Sequence, residues 1–255
     1  MLTALTRPVS SSITRCELTH LQRVPIDLQT ARQQHAAYEE VLHSLGVKVI
    51  SLPEEAELPD AVFVEDTAIV LDECAILTNP GAASRLPEVD SIAAALTPYR
   101  TLHRVQPPAT LDGGDVLVME KTIWIGQGSR TNREGVRQVR QFVHPHGYLV
   151  LTAPVRGCLH LKSAVTRAAG RTLLINPDWV DESAFLGFGL IKVDPQEPYG
   201  ANILLVGDRL VYQPAFPRTL ARLEEAGFHP LLVDASELGK AEGALTCCSL
   251  LFNTS

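Results

Sequence analysis

Short apolar stretches recur along the chain in a fixed order: two strands joined by a tight turn, an amphipathic helix and a third strand. Successive copies of this ββαβ pattern open at Phe63, Leu111, Leu159, Gly200 and Leu245, so neighbouring copies lie 41 to 48 residues apart. A period in this range is typical of propellers and solenoids, in which each repeat is one supersecondary unit. The sequence therefore predicts five similar α/β modules.

The helices of the first four copies are predicted between the second and third strands, over residues 87–96, 132–142, 182–188 and 217–226. A further helix, over residues 30–45, is the most clearly marked element. Thr30 and Gln33 have the spacing of a capping box, and Gly46 is a stop signal. Residues 15–27, before this helix, are predicted to form a polar loop long enough to serve as a lid.

The fifth copy is divided between the two ends of the chain. Its first strand is predicted over residues 249–252, and its other parts are found over residues 3–10, 30–45 and 47–52. A module shared by both ends closes a ring and directs the first strand of every copy towards one axis. We therefore expect a single domain, residues 1–255, closed by the N- and C-terminal segments. A generic α/β domain of irregular strand order is the alternative.

Composition narrows the classes of function. With 45% hydrophobic and 20% charged residues, the chain is ordinary for a globular protein with a good core. The net charge of −7 argues against a nucleic-acid partner, since such partners usually require a basic surface. We find no secretory signal pattern and no apolar stretch that could span a bilayer, so no membrane partner and a cytoplasmic location are expected. The five scattered cysteines favour reduced thiols over a disulfide framework.

Reactive side chains occur at or near one equivalent position, just after the residue that opens each copy. The candidates at this position are Glu65, Asp66, Asp112, His160, Asn202 and Cys247. In a closed ring, equivalent positions come together on the central axis. A cluster of acid, imidazole and thiol is therefore expected.

Each candidate also has a simpler interpretation. A cysteine at a strand start, such as Cys247, is more often a small buried hydrophobe than a nucleophile. His160, alone, is more often structural, although imidazole titrates near neutrality and can carry protons. Asp112 lies in a Leu-Asp-Gly-Gly-Asp run that is typical of a tight turn, where glycines also allow close backbone approach to a ligand. Glu65 and Asp66 interrupt an apolar run, so they require a partner or a ligand.

Several motifs, in one order along nearly the whole chain, resemble those of the dimethylarginine dimethylaminohydrolases, which are guanidino-group modifying enzymes. These motifs are Leu-Pro-Asp-Ala-Val-Phe-Val-Glu-Asp at 58–66, Arg85 after Asn-Pro-Gly-Ala, Thr-Leu-Asp-Gly-Gly-Asp-Val at 110–116, Arg-Thr-Asn at 130–132, Leu-His-Leu-Lys-Ser at 159–163 and Leu-Thr-Cys at 245–247. One such motif is a weak signal, whereas six in order are a strong one. The resemblance implies a five-bladed, pseudo-symmetric α/β propeller (pentein) of ββαβ modules, in agreement with the repeat.

The resemblance also implies a reaction: hydrolysis of N-omega-methylated arginines to citrulline and dimethylamine or methylamine, through a covalent thiouronium intermediate. Cys247 is then the nucleophile, His160 the acid and base, and Asp112 a carboxylate that holds the guanidinium together with Asp66. The substrate-binding residues implied are Leu18, Asp60, Phe63, Glu65, Asp66, Arg85, Arg130 and Ala241. Surface ion pairing is the simpler interpretation of the charged members. A guanidinium is always cationic, so carboxylates must fix it and a thiolate must attack it.

By the same resemblance the partner is a small guanidino amino acid, no cofactor is required, and zinc is expected only as an inhibitor that captures the thiolate of Cys247. A monomer and a homodimer both remain open. One alternative function is an arginine or agmatine deiminase, although arginine deiminases carry an inserted helical domain for which 255 residues leave no room. Another is a non-enzymatic, ribosome-binding propeller, against which the acidic pI and the coincidence of Cys247, His160 and Asp112 count.

Overall fold

The computed structural model describes residues 1–254, and within them the strands pair into five three-stranded sheets of the same design. In each sheet a central strand pairs antiparallel with one neighbour and parallel with the other. The strands are β1 (Leu2–Thr6), β2 (Lys48–Ser51), β3 (Ala68–Val70), β4 (Cys74–Leu77), β5 (Thr101–Arg104), β6 (Val116–Met119), β7 (Thr122–Gln127), β8 (Leu149–Pro154), β9 (Val165–Ala169), β10 (Thr172–Ile175), β11 (Gly189–Lys192), β12 (Leu204–Val206), β13 (Arg209–Tyr212), β14 (Leu231–Leu232) and β15 (Leu250–Asn253).

The parallel pair in each sheet requires a crossover, because only antiparallel strands can be joined by a tight turn. Four helices supply crossovers of this kind, and two short helices lie elsewhere in the chain. They are α1 (Leu28–Ser44), α2 (Glu88–Leu96), α3 (Arg133–Val143), α4 (Leu161–Ala164), α5 (Pro217–Glu225) and α6 (Ser236–Gly239). The third module has only a 3-10 turn, Glu182–Phe185, where the sequence predicted a helix to residue 188. The backbone leaves the helical region at Leu186, whose ψ is 134°, and Gly187 follows in the left-handed region with φ of +85°.

The predicted capping box of the N-terminal helix is wrong. Helix α1 begins at Leu28, and its N-cap is Asp27, whose carboxylate accepts a hydrogen bond from the backbone N–H of Thr30 at 2.7 Å. Thr30 therefore lies inside the first turn, with its N–H satisfied by a better acceptor than a hydroxyl. The predicted stop at Gly46 is confirmed by its φ of +77°.

The first and last strands of the chain share one sheet, in the order β15-β1-β2. Strand β1 pairs antiparallel with β15, with Thr3 opposite Phe252, and parallel with β2, with Thr3 opposite Lys48. This sheet therefore has the same plan as the other four, as the divided fifth copy predicted. The assignment of the whole chain to one domain stays a prediction.

The hydrophobic core is distributed over the junctions between neighbouring modules. Central strands are buried on both faces, so that successive side chains enter two different clusters, as Leu173 and Leu174 do in β10. In the same way, two successive residues of β4 in the first module face different neighbours: Ala75 packs with residues of the fifth module, and Ile76 packs with residues of the second. The cluster that contains Tyr38 joins the fourth and fifth modules. Five junctions of this kind close the ring of modules within the described residues, and no helix there is long and apolar enough to cross a membrane.

Candidate active site

Side chains from all parts of the chain converge on one narrow cleft at the centre of the ring. The residues that line it are Glu17, Asp60, Phe63, Asp66, Arg85, Arg130, Leu159, His160, Ala241, Glu242, Gly243 and Cys247. The thiol and the imidazole therefore share one cavity, as the equivalent positions of the modules predicted. Both residues stand on the short turn that leads into the first strand of their module.

His160 lies between two carboxylates. Its Nε2 is 2.9 Å from Oδ2 of Asp112, and its Nδ1 is 3.8 Å from Oδ1 of Asp66. Burial alone would lower the pKa of this imidazole, but the charge of Asp66, the hydrogen bond to Asp112 and the charge of Asp115 raise it to about 9. His160 is therefore an imidazolium at neutral pH and has a proton to give.

Asp112 is fully buried, and its carboxylate is fixed from two sides. Oδ1 accepts a hydrogen bond from the backbone N–H of Gly81 at 2.7 Å, and Oδ2 is the oxygen that faces His160. Arg130 Nη1 lies 3.7 Å from the same Oδ2. Asp112 does not line the cleft, so its geometry suits it to orient His160 better than to contact a guanidinium directly.

Glycines in the turn after Asp112 allow this close packing. A Cβ at Gly114 would lie 2.6 Å from Nδ1 of His160 and 2.7 Å from Oδ1 of Asp66. The backbone N–H of Gly114 instead donates a hydrogen bond of 2.9 Å to that oxygen of Asp66. The sequence predicted close backbone approach at these glycines, and here the backbone approaches the site's own side chains.

Cys247 is half-buried and faces the cleft, whereas Cys248 is buried in the core with its Sγ 3.4 Å from the carbonyl oxygen of Ala244. Burial first, and then the charges of Glu65 and Asp66, raise the pKa of the Cys247 thiol well above its usual value. The thiol is therefore protonated at neutral pH in the free protein. The simpler interpretation of a strand-start cysteine as a core residue fits Cys248.

Asp66 is the ionised carboxylate of the cleft. Burial opposes its charge, but the charges of His160 and Arg85 outweigh burial and bring the pKa of Asp66 to about 2. Arg85 Nη1 donates to Oδ2 of Asp66 at 2.5 Å, and its Nη2 donates to Glu88 at 2.8 Å. Arg85 is 3% exposed, so it is not a surface ion pair, and its contacts hold Asp66 in place.

The other predicted binding residues divide into two groups. Asp60, Phe63, Arg130 and Ala241 line the cleft, whereas Leu18 and Glu65 do not. Glu65 faces away from it, where it accepts hydrogen bonds from Lys162 Nζ at 2.5 Å and Thr246 Oγ1 at 2.9 Å. Asn202 is buried and donates to Thr246 Oγ1 at 2.9 Å, so it supports the turn that carries Cys247.

The predicted lid lies over the cleft and is fixed by Glu242. The carboxylate of Glu242 accepts hydrogen bonds from three successive backbone N–H groups, those of Thr19, His20 and Leu21, at 3.0, 2.5 and 2.6 Å. Asp60 accepts another from the N–H of Glu17 at 3.0 Å. Leu18 therefore belongs to a segment whose backbone is held at the mouth of the cleft on both sides.

A family model described as "N,N dimethylarginine dimethylhydrolase, eukaryotic" matches residues 18–182 of the chain. The N(G),N(G)-dimethylarginine dimethylaminohydrolase of Streptomyces coelicolor is 37% identical over 248 residues, covering 97% of this chain and 95% of its own. The chain belongs to the dimethylarginine dimethylaminohydrolase family.

Solved structures of dimethylarginine dimethylaminohydrolases have the same fold. That of the Pseudomonas aeruginosa enzyme, a cysteine-to-serine variant complexed with citrulline, superposes with a TM-score of 0.94 at 30% identity, over 98% of each chain. A histidine-to-glycine variant of a dimethylarginine dimethylaminohydrolase, an adduct with S-methyl-L-thiocitrulline, superposes with a TM-score of 0.92 at 31% identity, over 98% of this chain and 99% of its own. The predicted five-bladed α/β propeller is confirmed.

Asp66, Asp112 and His160 each offer an atom within 4.8 Å of the others, which is close enough for one ion. Because the pKa of His160 is raised to about 9, a metal ion at this position would have to displace the proton of the imidazole.

The sequence analysis missed several buried groups that support the cleft. Glu88 forms a salt bridge with Arg85, and Lys162 forms one with Glu65. Asp115 accepts a hydrogen bond from the backbone N–H of Leu161 at 2.9 Å. The second Asp of the Leu-Asp-Gly-Gly-Asp run was an available signal for Asp115. Glu88 and Lys162, in contrast, cannot be distinguished in the sequence from ordinary surface charges.

Proposed function

We propose that this chain hydrolyses asymmetric dimethylarginine and monomethylarginine to citrulline and dimethylamine or methylamine. The observation that carries the proposal is one cleft in which the protonated His160, the ionised Asp66 and the thiol of Cys247 meet. Family members that hold citrulline and S-methyl-L-thiocitrulline support this substrate class.

The cleft suits a zwitterionic amino acid with a cationic end. Asp66 would accept hydrogen bonds from the guanidinium, because its carboxylate stays ionised. Arg85 holds Oδ2 and the N–H of Gly114 holds Oδ1, so the carboxylate is fixed and each oxygen would accept through a remaining lone pair. Asp60 and Arg130 lie in the same cleft and would bind the ammonium and the carboxylate of the amino-acid end. The lid backbone near Leu18 and the main chain near Ala241 would complete the enclosure.

A bound guanidinium would activate the nucleophile. The pKa of the Cys247 thiol is raised by burial and by nearby carboxylates, and a cation beside it counteracts the charge of those carboxylates. The thiol proton leaves to solvent, and the thiolate sulfur forms a bond to the guanidinium carbon. This step gives a tetrahedral intermediate in which the methylated nitrogen can leave.

His160 would complete both halves of the reaction. As the carbon–nitrogen bond breaks, the imidazolium donates its proton to the leaving nitrogen, and dimethylamine departs from a thiouronium bound to Cys247. The neutral imidazole then removes a proton from water, and the oxygen bonds to the carbon. As the carbon–sulfur bond breaks, the hydroxyl proton of the intermediate leaves to solvent, which yields neutral citrulline and regenerates the thiolate.

The test is mass spectrometry of enzyme mixed with asymmetric dimethylarginine and quenched in acid. We expect an adduct on the peptide that carries Cys247. Cys248→Ser is the matched control and should retain turnover, while Cys247→Ser abolishes it. The reverse pattern would show that the wrong thiol has been assigned.

A substrate panel separates this function from the deiminase alternative. Citrulline formation should be faster, by kcat/KM, from asymmetric dimethylarginine and monomethylarginine than from arginine or agmatine. A preference for arginine or agmatine would contradict the proposal. Binding to ribosomes that survives in Cys247→Ser, without any turnover in the parent chain, would favour the non-enzymatic propeller.

The proposed reaction uses only Cys247, His160, water and solvent protons for its chemical steps, so no cofactor enters it. We further propose that zinc inhibits by capturing the thiolate of Cys247 and that the enzyme acts in the cytoplasm on a free small molecule. Inhibition by micromolar zinc that a chelator reverses would support the first point. Undiminished turnover in excess zinc would contradict it.

A further inference from the structure

Three metal-binding side chains meet at the outer part of the ring, away from the cleft. Cys74 opens strand β4, His103 lies in the adjacent strand β5, and His146 ends the 3-10 turn that follows α3. In the parallel register Cys74 is opposite Thr101, so Cys74 and His103 share one face of the first module's sheet. That face packs against the helix of the second module, and the ring of His103 stacks on Phe142 at a centroid distance of 4.9 Å.

The three side chains each place one possible ligand atom in the same small cluster. The sulfur and the two imidazole nitrogens all lie within 4.8 Å of one another. Within residues 1–254 none of the three side chains takes part in a hydrogen bond. The convergence is therefore not explained by a polar network among them. Cys74 is 1% exposed, while both histidines are half-buried, which leaves a path from solvent.

We propose that Cys74, His103 and His146 form a zinc site between the first and second modules. One thiolate and two imidazoles are a donor set that zinc accepts, with water as the fourth ligand of a tetrahedron. Ligand atoms around tetrahedral zinc lie roughly 3.3–3.6 Å apart, so the three groups must approach by about 1 Å. Rotation of two half-buried imidazoles can supply that movement.

The charges around the site are balanced. Glu73 precedes Cys74, and its carboxylate forms a salt bridge with Lys121 and accepts a hydrogen bond from the hydroxyl of Tyr148 at 2.9 Å. Burial and the charge of Glu73 raise the pKa of the Cys74 thiol, and Arg100 lowers it. A metal ion reverses the effect of burial, because a coordinating thiol is deprotonated outright. None of the three ligands lines the cleft, so the site would be structural.

A metal here would link two modules that are otherwise joined by apolar packing. It would tie the sheet edge β4–β5 to the turn after α3, and would stabilise the folded ring by mass action. At a hundredfold excess over the dissociation constant, the Tm should rise by about 5–10 °C in a chain of this size.

The test is titration of the full chain with Co²⁺ and Zn²⁺ in a Cys247→Ser background, which removes the thiol of the cleft. We expect one equivalent of Co²⁺ to give an intense tetrahedral spectrum with a thiolate-to-metal charge-transfer band. Adding Cys74→Ser should abolish the charge-transfer band. Adding Cys158→Ser, the matched control at another buried thiol, should leave it intact.

A second pair of variants guards against misfolding of a core substitution. His146→Gln should weaken Co²⁺ binding at least tenfold and remove the zinc-dependent rise in Tm. His144→Gln, at the exposed start of the same turn, should change neither. The absence of a charge-transfer band in the Cys247→Ser background, or its persistence in the variant that also lacks Cys74, would overturn the proposal.

Discussion

Replacing Asp112 with asparagine tests whether this carboxylate acts through His160. The substitution keeps the size and shape of the side chain but removes the charge that lies 2.9 Å from Nε2. An asparagine can still accept a hydrogen bond from Gly81 through one oxygen. The expected defect is therefore electrostatic, with little change in packing.

The magnitude follows from the bond that is lost. A hydrogen bond to a charged group contributes about 1.5–3 kcal/mol, and one pKa unit corresponds to about 1.4 kcal/mol. The pKa of His160, raised to about 9 in the parent chain, should therefore fall by about 1–2 units, to roughly 7–8 in the variant. Asp66 and Asp115 still act on the imidazole, so the pKa should stay above its usual value.

The assay is citrulline formation from asymmetric dimethylarginine as a function of pH. If the imidazolium is the acid, kcat/KM falls as pH rises through the pKa of His160 in the free enzyme. The alkaline limb near pH 9 should therefore move 1–2 units lower in Asp112→Asn. Asp90→Asn, at an exposed carboxylate, is the matched control and should leave the limb in place. An unmoved limb in Asp112→Asn would refute the assigned role.

Stability should respond in the same pH window. The folded pKa of His160 lies above the usual value of 6.5, so its charge stabilises the folded state fully below pH 6.5, and this contribution is lost as pH rises through about 9. The full size is about 3 kcal/mol, from a shift of roughly 2.5 units. Urea unfolding at pH 6 and pH 9.5 should show a smaller pH-dependent loss in Asp112→Asn than in the parent chain.

Three further substitutions test other contacts. Gly114→Ala places a Cβ 2.6 Å from the imidazole and should lower kcat at least tenfold with the fold intact by circular dichroism, whereas Gly128→Ala, in open space, should not. Glu242→Gln removes the charge that holds three lid N–H groups and should raise KM about tenfold with little change in kcat. Equal KM values in the variant and the parent chain would show that these hydrogen bonds do not contribute to substrate binding. Lys162→Met leaves Glu65 buried without its partner and should cost about 3 kcal/mol in urea unfolding, and Glu65→Gln in the same chain should restore most of it.

The modules were predictable because each central strand is apolar on both faces and each turn is marked by small or polar residues. Boundaries were less predictable, since they depend on competition between nearby caps. At α1, Asp27 and Thr30 are both good N-cap residues. The helix begins after Asp27, because its carboxylate accepts a hydrogen bond from the backbone N–H of Thr30. In the third module the predicted helix is a 3-10 turn, because the backbone becomes extended at Leu186 and left-handed at Gly187.

The part of the site that was predictable consists of residues at equivalent positions of the repeated modules. Cys247, His160 and Asp112 occupy equivalent positions in different modules, so a ring brings them together whatever the details of packing. The supporting pairs do not repeat. Lys162 meets Glu65 across 97 residues of sequence, and the lid meets Glu242 across 221 to 223, so no local pattern identifies either contact.

The charge distribution of the cleft links substrate selection to nucleophile activation. Burial first, and then the charges of Glu65 and Asp66, raise the pKa of the Cys247 thiol and suppress its reactivity in the free enzyme. The same charge attracts a guanidinium, whose arrival counteracts it beside the sulfur. A neutral urea such as citrulline brings no such compensation, so the product would leave behind a thiol that returns to its protonated state. The cation is thus both the substrate and the condition for attack.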